Sequence, residues 1–201
     1  MIEPIWSEAT ERLRHDPDFG PLVERVGPVR LPPRSPDAFT ALVSSIVYQQ
    51  LAGTAARTIH GRLVDALEGD VRPATVLATP EPALLAAGLS RNKLAAIRDL
   101  ARRLATEDLP ADGWESLSDQ AVTQRLVRAR GIGDWTAQMF LLFHLRRPDV
   151  WPTGDRGVRA GLGRVLGLPQ PPSPADTGLI GTGYRPWRSA VAWYCWRAAS
   201  P

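Results

Sequence analysis

The sequence predicts an all-α protein, and three features support this prediction. Apolar residues recur at positions i, i+3 and i+4 along most of the chain, which is the spacing of an amphipathic helix. Alternating β-branched runs, which are typical of strands, are few. Helix-capping residues precede several apolar runs, and glycines follow them. The chain therefore reads as a series of short helices.

Composition limits the classes of protein that this chain can belong to. Its 201 residues suffice for one domain or two small lobes, and 44% hydrophobic content supports a core without metal or disulfides. The single cysteine, Cys195, excludes a disulfide framework, a zinc site with several cysteine ligands and a four-cysteine iron–sulfur cluster. The three histidines match no ligand spacing, so no metal ion is firmly predicted and no cofactor is expected.

The charge pattern is compatible with a nucleic-acid partner. The net charge is +3 and the isoelectric point is about 9.6. Nearly all basic residues are arginines, which suit bidentate phosphate contacts, and the only lysine, Lys93, is expected on a solvated helix face. No apolar run is long enough to span a membrane and the first residues do not resemble a signal peptide, so a cytoplasmic location is expected.

The residues before Ser35 read as helical, and helix start and stop signals predict four helices from Ser35 to the loop at 110–113. Ser35-Pro36 reads as an N-cap followed by the first helical position, and the helix it opens ends at Tyr48-Gln49-Gln50-Leu51. The other three are predicted from after Gly53 to near Gly69, from Thr79-Pro80 to Gly88, and from Ser90 onward. A loop rich in Pro, Asp and Gly at 110–113 ends this half.

The second half continues the helical pattern. Ser118 is a good N-cap for the helix that follows it, and Asp155 is placed to cap or open another. The segment 168–184 is rich in Pro and Gly and is predicted to be mostly loop with one short helix. The chain closes with an aromatic-rich helix, RPWRSAVAWYCWRA.

A Gly131-Ile132-Gly133 turn joins two of these helices, and it is the most informative local feature. Glycine allows a positive φ and a close approach of the backbone to a partner. The amides of such a turn, beside the start of the next helix, form a site for a DNA phosphate. A plain helix–turn–helix corner without a ligand is the alternative. Thr136 provides a hydroxyl for a phosphate or for capping its own helix.

The motifs GIGDWTA (131–137) and PDVWPTGD (148–155) resemble the helix–hairpin–helix, Gly/Pro-Asp (HhH-GPD) superfamily of DNA base-excision glycosylases. Within it they are most similar to the AlkA-type, 3-methyladenine DNA glycosylase II branch, and the resemblance covers about residues 36–199. It implies a single domain, 1–201, with two helical lobes: one of about 36–109, the other of about 1–35 plus 114–201. Larger members carry an N-terminal β-rich domain, which is not expected here.

The resemblance assigns the chemistry to Asp155 in the cleft between the lobes. A fixed carboxylate stabilises the oxocarbenium-like sugar that forms when an N-glycosidic bond breaks, and it orients or deprotonates water. The alternative is a helix N-cap, a common position for aspartate. Asp134 and Asp149 are the competing carboxylates, and the family usually uses the position of Asp149 for structure.

The resemblance also implies how DNA is held. Trp135 and Trp196 line the base pocket, where indole faces suit cationic alkylated bases, and core packing is the alternative. Phe39, Tyr48 and Gln49 are expected as further walls of the pocket. Gln50, with Leu51, is expected to enter the gap left by the flipped nucleotide. Phosphate contacts are expected at Gly131, Ile132, Gly133 and Thr136. An ordinary polar helix end is the alternative for Gln49–Leu51.

The function expected from this resemblance is hydrolytic release of alkylated bases, of the 3-methyladenine and 7-methylguanine class, from double-stranded DNA in base excision repair. Relatives that also cut the strand carry a hairpin lysine where this chain has Trp135, so no lyase activity is expected. The alternatives are a sister glycosylase for uracil, hypoxanthine or mismatched adenine, and a non-catalytic DNA-damage-binding module. A monomer is expected, with a sodium or potassium ion possible at the hairpin carbonyls.

Overall fold

The computed structural model describes residues 4–51 and 53–199, and these residues form helices and loops without a β-strand. The all-α prediction is confirmed. Twelve α-helices lie within the described residues: α1 (Pro4–Arg14), α2 (Gly20–Val26), α3 (Ala38–Tyr48), α4 (Gly53–Ala66), α5 (Pro73–Ala78), α6 (Glu81–Ala86), α7 (Arg91–Ala105), α8 (Asp119–Leu126), α9 (Asp134–Met139), α10 (Arg156–Val165), α11 (Pro174–Gly181) and α12 (Arg188–Ala199). A π-helical turn, Phe140–His144, continues α9.

Three of the predicted helix N-caps are confirmed. Ser90 accepts a hydrogen bond from the Lys93 amide, and Ser118 accepts one from the Ala121 amide. Asp155 caps α10 in the same way. Each such bond satisfies a backbone amide of the first turn, which has no partner within the helix.

Two boundary predictions need correction. Helix α3 begins at Ala38 rather than at Ser35-Pro36, because Asp37 is the N-cap and its carboxylate accepts from the Thr40 amide at 2.7 Å. The segment 168–184 is more helical than predicted, since it contains α11 and a 3-10 turn. A Cβ on Gly181 would lie 2.1 Å from Trp151 Nε1, so this glycine lets the end of α11 pack on that indole. The short helix α5 was not predicted; no side chain caps it.

The chain divides into two compact units, residues 33–145 and residues up to 32 together with those from 146 onward. The resemblance implies that residues 114–145 belong with the two ends of the chain, but the structure groups them with residues 33–113. The reason is packing: α3 contacts both α9 and the π-helical turn. The hairpin therefore belongs to the same unit as α3 and α7.

In unit 33–145, α3 and α7 supply the central apolar faces. Helix α3 buries Leu42, Val43 and Ile46, and it packs against α4 and α7. Helix α7 buries Ile97 and Leu100 and also contacts α5 and α6. Burial of such side chains contributes about 1.5–3 kcal/mol each to folding. These two helices thus support the hairpin and the helix that follows it.

In the other unit, α12 lies at the centre and contacts α1, α2 and α10. Its Val191 and Tyr194 are fully buried, and the Tyr194 hydroxyl donates to the carbonyl of Gly27 at 2.9 Å. Among the described residues, no helix is both long and apolar enough to cross a membrane.

Candidate functional site

The hairpin occupies residues 127–133, between the end of α8 and the start of α9. Gly131 has φ +72°, and Gly133 precedes α9 in an extended conformation. Both glycines are exposed, whereas Ile132 is buried. The turn therefore presents backbone to solvent on one side and packs an apolar side chain on the other.

Helix α7 holds the hairpin by close packing and by a hydrogen bond. A Cβ on Gly131 would lie 2.7 Å from Ala96 Cβ. The Arg130 amide donates to Asp99 Oδ2 at 2.9 Å, and the same oxygen accepts from Arg103 Nε at 2.8 Å. Burial alone would raise the pKa of Asp99, but these two hydrogen bonds, with the nearby arginine charges, lower it overall. Asp99 is therefore an ionised anchor for the hairpin.

Replacing Gly131 with alanine is expected to lower the melting temperature and weaken DNA binding for every sequence alike. Alanine would have to adopt the positive φ of this position, and its methyl group would collide with Ala96. We expect a cost of about 1–3 kcal/mol. Gly133→Ala is the matched comparison, because a Cβ there meets nothing within 4 Å and its φ is negative. Thermal unfolding and DNA titration test both variants; equal melting temperatures would contradict the packing argument.

The end of α3 forms a turn, Gln49–Leu51, that we call the α3 turn. Gln50 is exposed and has φ +56°, a left-handed conformation that is uncommon for a residue with a side chain. Leu51 is 38% exposed, an unusual position for a large apolar side chain. The two residues expected to enter the DNA stack thus lie at an exposed tip.

Gln49 connects the α3 turn to the hairpin. Its Nε2 donates to the Gly131 carbonyl at 2.9 Å and to Thr136 Oγ1 at 2.8 Å. Thr136 is buried and its hydroxyl accepts from Gln49. The hydroxyl is therefore not presented to a phosphate in this structure. The expected base contact of Gln49 and the expected phosphate contact of Thr136 stay predictions.

Lys93 does not lie on a solvated face, and that expectation is wrong. The side chain is half-buried, and its Nζ donates to the carbonyls of Val47 at 2.7 Å and Gln49 at 2.8 Å. Burial lowers the pKa of this ammonium group. The lysine points back toward α3 because the last carbonyls of a helix have no partner within the helix.

Asp155 caps α10 and also binds an indole. Its Oδ1 accepts from the Val158 amide at 2.7 Å and from Trp196 Nε1 at 2.9 Å. The alternative of a helix N-cap is therefore confirmed. It is compatible with a chemical role, because both hydrogen bonds fix the carboxylate in place. Burial, together with the nearby Asp155 carboxylate, raises the pKa of the Cys195 thiol, which keeps that group neutral.

Two glycines on α10 allow this arrangement. A Cβ on Gly157 would lie 2.8 Å from Trp196 Cδ1, and one on Gly161 would lie 1.9 Å from the Cys195 carbonyl oxygen. The Gly157–Gly161 spacing of four residues places both on one helix face. Helix α12 can therefore approach α10 closely enough for Trp196 to reach Asp155.

The loop before Asp155 is anchored to the start of α12. Asp149 accepts from Arg188 Nε at 2.6 Å and from Arg185 Nη1 at 2.9 Å. The Ser189 hydroxyl accepts from the Val150 amide at 2.9 Å and donates to the Arg147 carbonyl at 2.7 Å. The structural role expected for the position of Asp149 is confirmed.

The other aromatic residues proposed for the base pocket differ in burial. Trp135 lies on the first turn of α9 and is half-buried, as is Tyr48 at the end of α3. Phe39 is only 4% exposed and lies in the core. Their contacts with a base stay predictions. Of the tryptophans not proposed for the pocket, Trp193 is 5% exposed and lies in the core, whereas Trp187 is half-buried.

Within the described ranges, no group of three or more His, Cys, Asp or Glu side chains could ligate a metal ion. A monovalent cation would instead use hairpin carbonyls. Those of Ala129 and Gly131 each accept one hydrogen bond, from the Ile132 amide and from Gln49. A carbonyl oxygen has two lone pairs, so these residues are compatible with a cation.

Sequence reasoning missed Asp99 and the Gly157–Gly161 pair, and it misplaced Lys93. The glycine pair has a recognisable signal, since small residues four apart on a helix permit close helix packing. The roles of Asp99 and Lys93 at the site have no such signal, because the backbone groups that they bind lie 31 to 46 positions away in the sequence. Only the folded chain brings them together.

An exposed glycine hairpin and a carboxylate fixed at a helix start define a helix–hairpin–helix protein equipped for chemistry on DNA. Comparison with known proteins identifies the family: the chain belongs to the HhH-GPD superfamily of base excision DNA repair proteins, whose model matches residues 43–179. It is 30% identical to DNA-3-methyladenine glycosylase 1 of Schizosaccharomyces pombe, over 92% of this chain and 83% of that protein.

Solved structures agree with this assignment. The fold is similar to that of the 3-methyladenine DNA glycosylase of Schizosaccharomyces pombe in complex with abasic DNA, with a TM-score of 0.89, 29% identity, and 94% of this chain and 95% of that chain covered. A DNA-3-methyladenine glycosidase of Bacillus halodurans matches with a TM-score of 0.77 at 30% identity, covering 98% of this chain and 90% of that chain.

Proposed function

We propose that this protein is a DNA glycosylase that hydrolyses the N-glycosidic bond of alkylated bases in double-stranded DNA during base excision repair. The observation that carries the proposal is Asp155, a carboxylate held by two N–H donors at the start of α10 in a chain of this family. The names of the matched glycosylases support alkylated bases as the substrate class.

The proposed role of Asp155 is electrostatic. As the base departs, the sugar acquires oxocarbenium character, and a fixed negative charge beside it lowers the barrier. The Val158 amide and Trp196 Nε1 hold the carboxylate before the reaction starts, so little reorganisation is needed. Alkylated purines of the 3-methyladenine type are positively charged and leave readily, so a strong general acid is not required.

DNA binding is proposed to use the hairpin and the α3 turn. Backbone amides of Gly131–Gly133 would contact phosphates without reading sequence. Gln50 and Leu51 would fill the gap left by the flipped nucleotide. Trp135 and Trp196 would hold the base, and a cationic base on an indole face gains about 1–2 kcal/mol over a neutral one.

We further propose that the enzyme has no lyase activity. A lyase needs an amine that forms a Schiff base with the sugar. Trp135, two residues after the hairpin, stands at the position where lyases of this family carry lysine. Lys93, the only lysine in the chain, donates to two backbone carbonyls. These contacts oppose its use as a nucleophile.

Release of free bases from methylated DNA, measured by chromatography, tests the proposal. We expect 3-methyladenine or 7-methylguanine to appear, with no covalent protein–DNA product on borohydride treatment. Release only from DNA containing uracil, hypoxanthine or mismatched adenine would favour a sister glycosylase. Binding of damaged DNA without any release would favour a non-catalytic module, and borohydride trapping would contradict the absence of lyase activity.

Replacing Trp196 with phenylalanine separates its two proposed roles. Phenylalanine keeps an aromatic face but lacks the N–H that binds Asp155. We expect the rate constant for base release to fall roughly tenfold while KM changes little, because a hydrogen bond to a charged group is lost. Trp187→Phe is the control. An unchanged rate constant with a raised KM would show that Trp196 acts only as a pocket wall.

Three further expectations stay predictions. A potassium or sodium ion at the hairpin carbonyls would make DNA affinity depend on the identity of the cation at constant ionic strength. A monomer is expected by light scattering. The expected cytoplasmic location is testable by fractionation of the source cells.

A further inference from the structure

The single lysine of this chain stabilises the end of α3. Lys93 Nζ lies 2.7 Å from the Val47 carbonyl oxygen and 2.8 Å from that of Gln49. These carbonyls belong to the last turn of α3 and to the residue that follows it. A positive charge is favourable there because the helix dipole places partial negative charge at its C-terminal end.

Lys93 belongs to a row of residues on α7 that together contact both DNA-binding elements. Lys93, Ala96 and Asp99 are spaced three apart, so each is a neighbour of the next on the helix surface. Lys93 binds the α3 turn, Ala96 packs against Gly131, and Asp99 binds the Arg130 amide. One rigid helix thus contacts the α3 turn and the hairpin at the same time.

The α3 turn has a conformation that requires such support. A left-handed φ at Gln50 is unfavourable for a residue with a side chain, and it persists only where surrounding contacts impose it. The Lys93 side chain donates to the main-chain carbonyl of Gln49, the residue immediately before Gln50. Gln49 binds the hairpin through its side chain. The residue that leads into the tip of Gln50 and Leu51 is therefore held through both its carbonyl and its side chain.

We propose that Lys93 is a positioning residue for base flipping: it holds the α3 turn in the shape that fills the gap in the DNA stack. Lys93 therefore acts through Gln50 and Leu51 and takes no part in bond cleavage. The role rests on the proposed glycosylase function. It predicts that loss of Lys93 slows reaction of bases that must be extruded far more than reaction of bases that are already unstacked.

The test compares Lys93→Met with the wild-type protein on two methylated DNA substrates under single-turnover conditions. In one duplex the 7-methylguanine is paired with cytosine, and in the other it lies in a single-nucleotide bulge, where extrusion costs less. We expect the variant to lose roughly tenfold in rate on the paired substrate and much less on the bulged one. The ratio of the two rate constants does not depend on the folded fraction of the protein.

Two variants act as controls. Arg91→Met removes one positive charge from an exposed position of the same helix and is expected to keep the wild-type ratio. Lys93→Arg retains donors for both carbonyls and is expected to restore most of the rate on the paired substrate. An unchanged ratio in Lys93→Met, whatever its absolute rates, would overturn the proposal.

Hydrogen exchange supplies a readout that does not require activity. The amides of Gln49 and Leu51 donate to the carbonyls of Ile46 and Tyr48 at the α3 turn. We expect Lys93→Met to accelerate exchange of these amides while the centre of α7 keeps its protection. If the wild type releases no base, the glycosylase function fails, and exchange alone decides whether Lys93 holds the turn. Unchanged exchange would exclude the turn as its route of action.

Discussion

Replacement of Asp155 with asparagine is expected to reduce base release by about 10²–10³-fold or more, because the transition state loses its fixed negative charge. Asparagine retains an Oδ1 that accepts from the Val158 amide and from Trp196 Nε1. As an N-cap, asparagine is about as effective as aspartate. The melting temperature and the affinity for duplex DNA should therefore change little. Single-turnover release of 7-methylguanine measures the rate.

The other two carboxylates proposed as competitors are the matched comparisons. Asp134→Asn alters an exposed position at the start of α9, and it should leave the rate within a few-fold of wild type. Asp149→Asn removes the negative charge that pairs with Arg185 and Arg188, so it should lower stability before it affects the chemistry. Equal release by wild type and Asp155→Asn would remove Asp155 from the mechanism. A large loss of base release in Asp134→Asn alone would assign the catalytic role to Asp134.

Replacement of Gly161 with alanine is expected to destabilise the protein by about 3 kcal/mol, because the new methyl group would overlap the α12 backbone. Its Cβ would lie 1.9 Å from the Cys195 carbonyl oxygen, which cannot move without shifting the helix. The corresponding fall in melting temperature is roughly 6–12 °C for a protein of this size. Since α12 also carries Trp196, base release should fall together with stability.

Gly61→Ala is the matched control for this prediction. Gly61 also lies inside a helix, α4, but a Cβ there meets nothing within 4 Å. Alanine has the higher helix propensity, so this variant should gain about 0.5–1 kcal/mol. Differential scanning calorimetry of both variants gives the comparison. A Gly161→Ala protein that melts with the wild type would mean that α10 and α12 are not packed as closely as described.

The parts of the fold that could be predicted from the sequence are those set by neighbours along the chain. Ser90, Ser118 and Asp155 each cap a helix by binding an amide three residues later, and such short-range bonds leave a visible pattern. Helix α5 escaped prediction because it has six residues and its N-cap position is held by Arg72, which is not a typical capping residue. Residues 114–145 were placed in the wrong half because the packing of α3 against α9 leaves no local signal.

The features of the candidate site likewise divide into those that could be predicted from the sequence and those that depend on contacts between distant residues. The hairpin glycines and the cap at Asp155 were identified from residue type and position along the chain, and Gln50 and Leu51 from the family resemblance. The Gln49 side chain bonds residues 82 and 87 positions away, and Lys93 bonds carbonyls 46 and 44 positions away. Any exposed glutamine or lysine has the same side-chain chemistry, so the sequence does not distinguish these two from solvated ones.

The sequence alone determined the helical class, the hairpin and the aspartate at the helix start, because each depends on backbone preferences and hydrogen bonds within a few residues. The tertiary structure decided what holds these groups in place: α7 under the hairpin and the α3 turn, and the glycine face of α10 that brings Trp196 to Asp155. Such contacts depend on distances of a few ångströms between distant segments, which become defined only when the core packs.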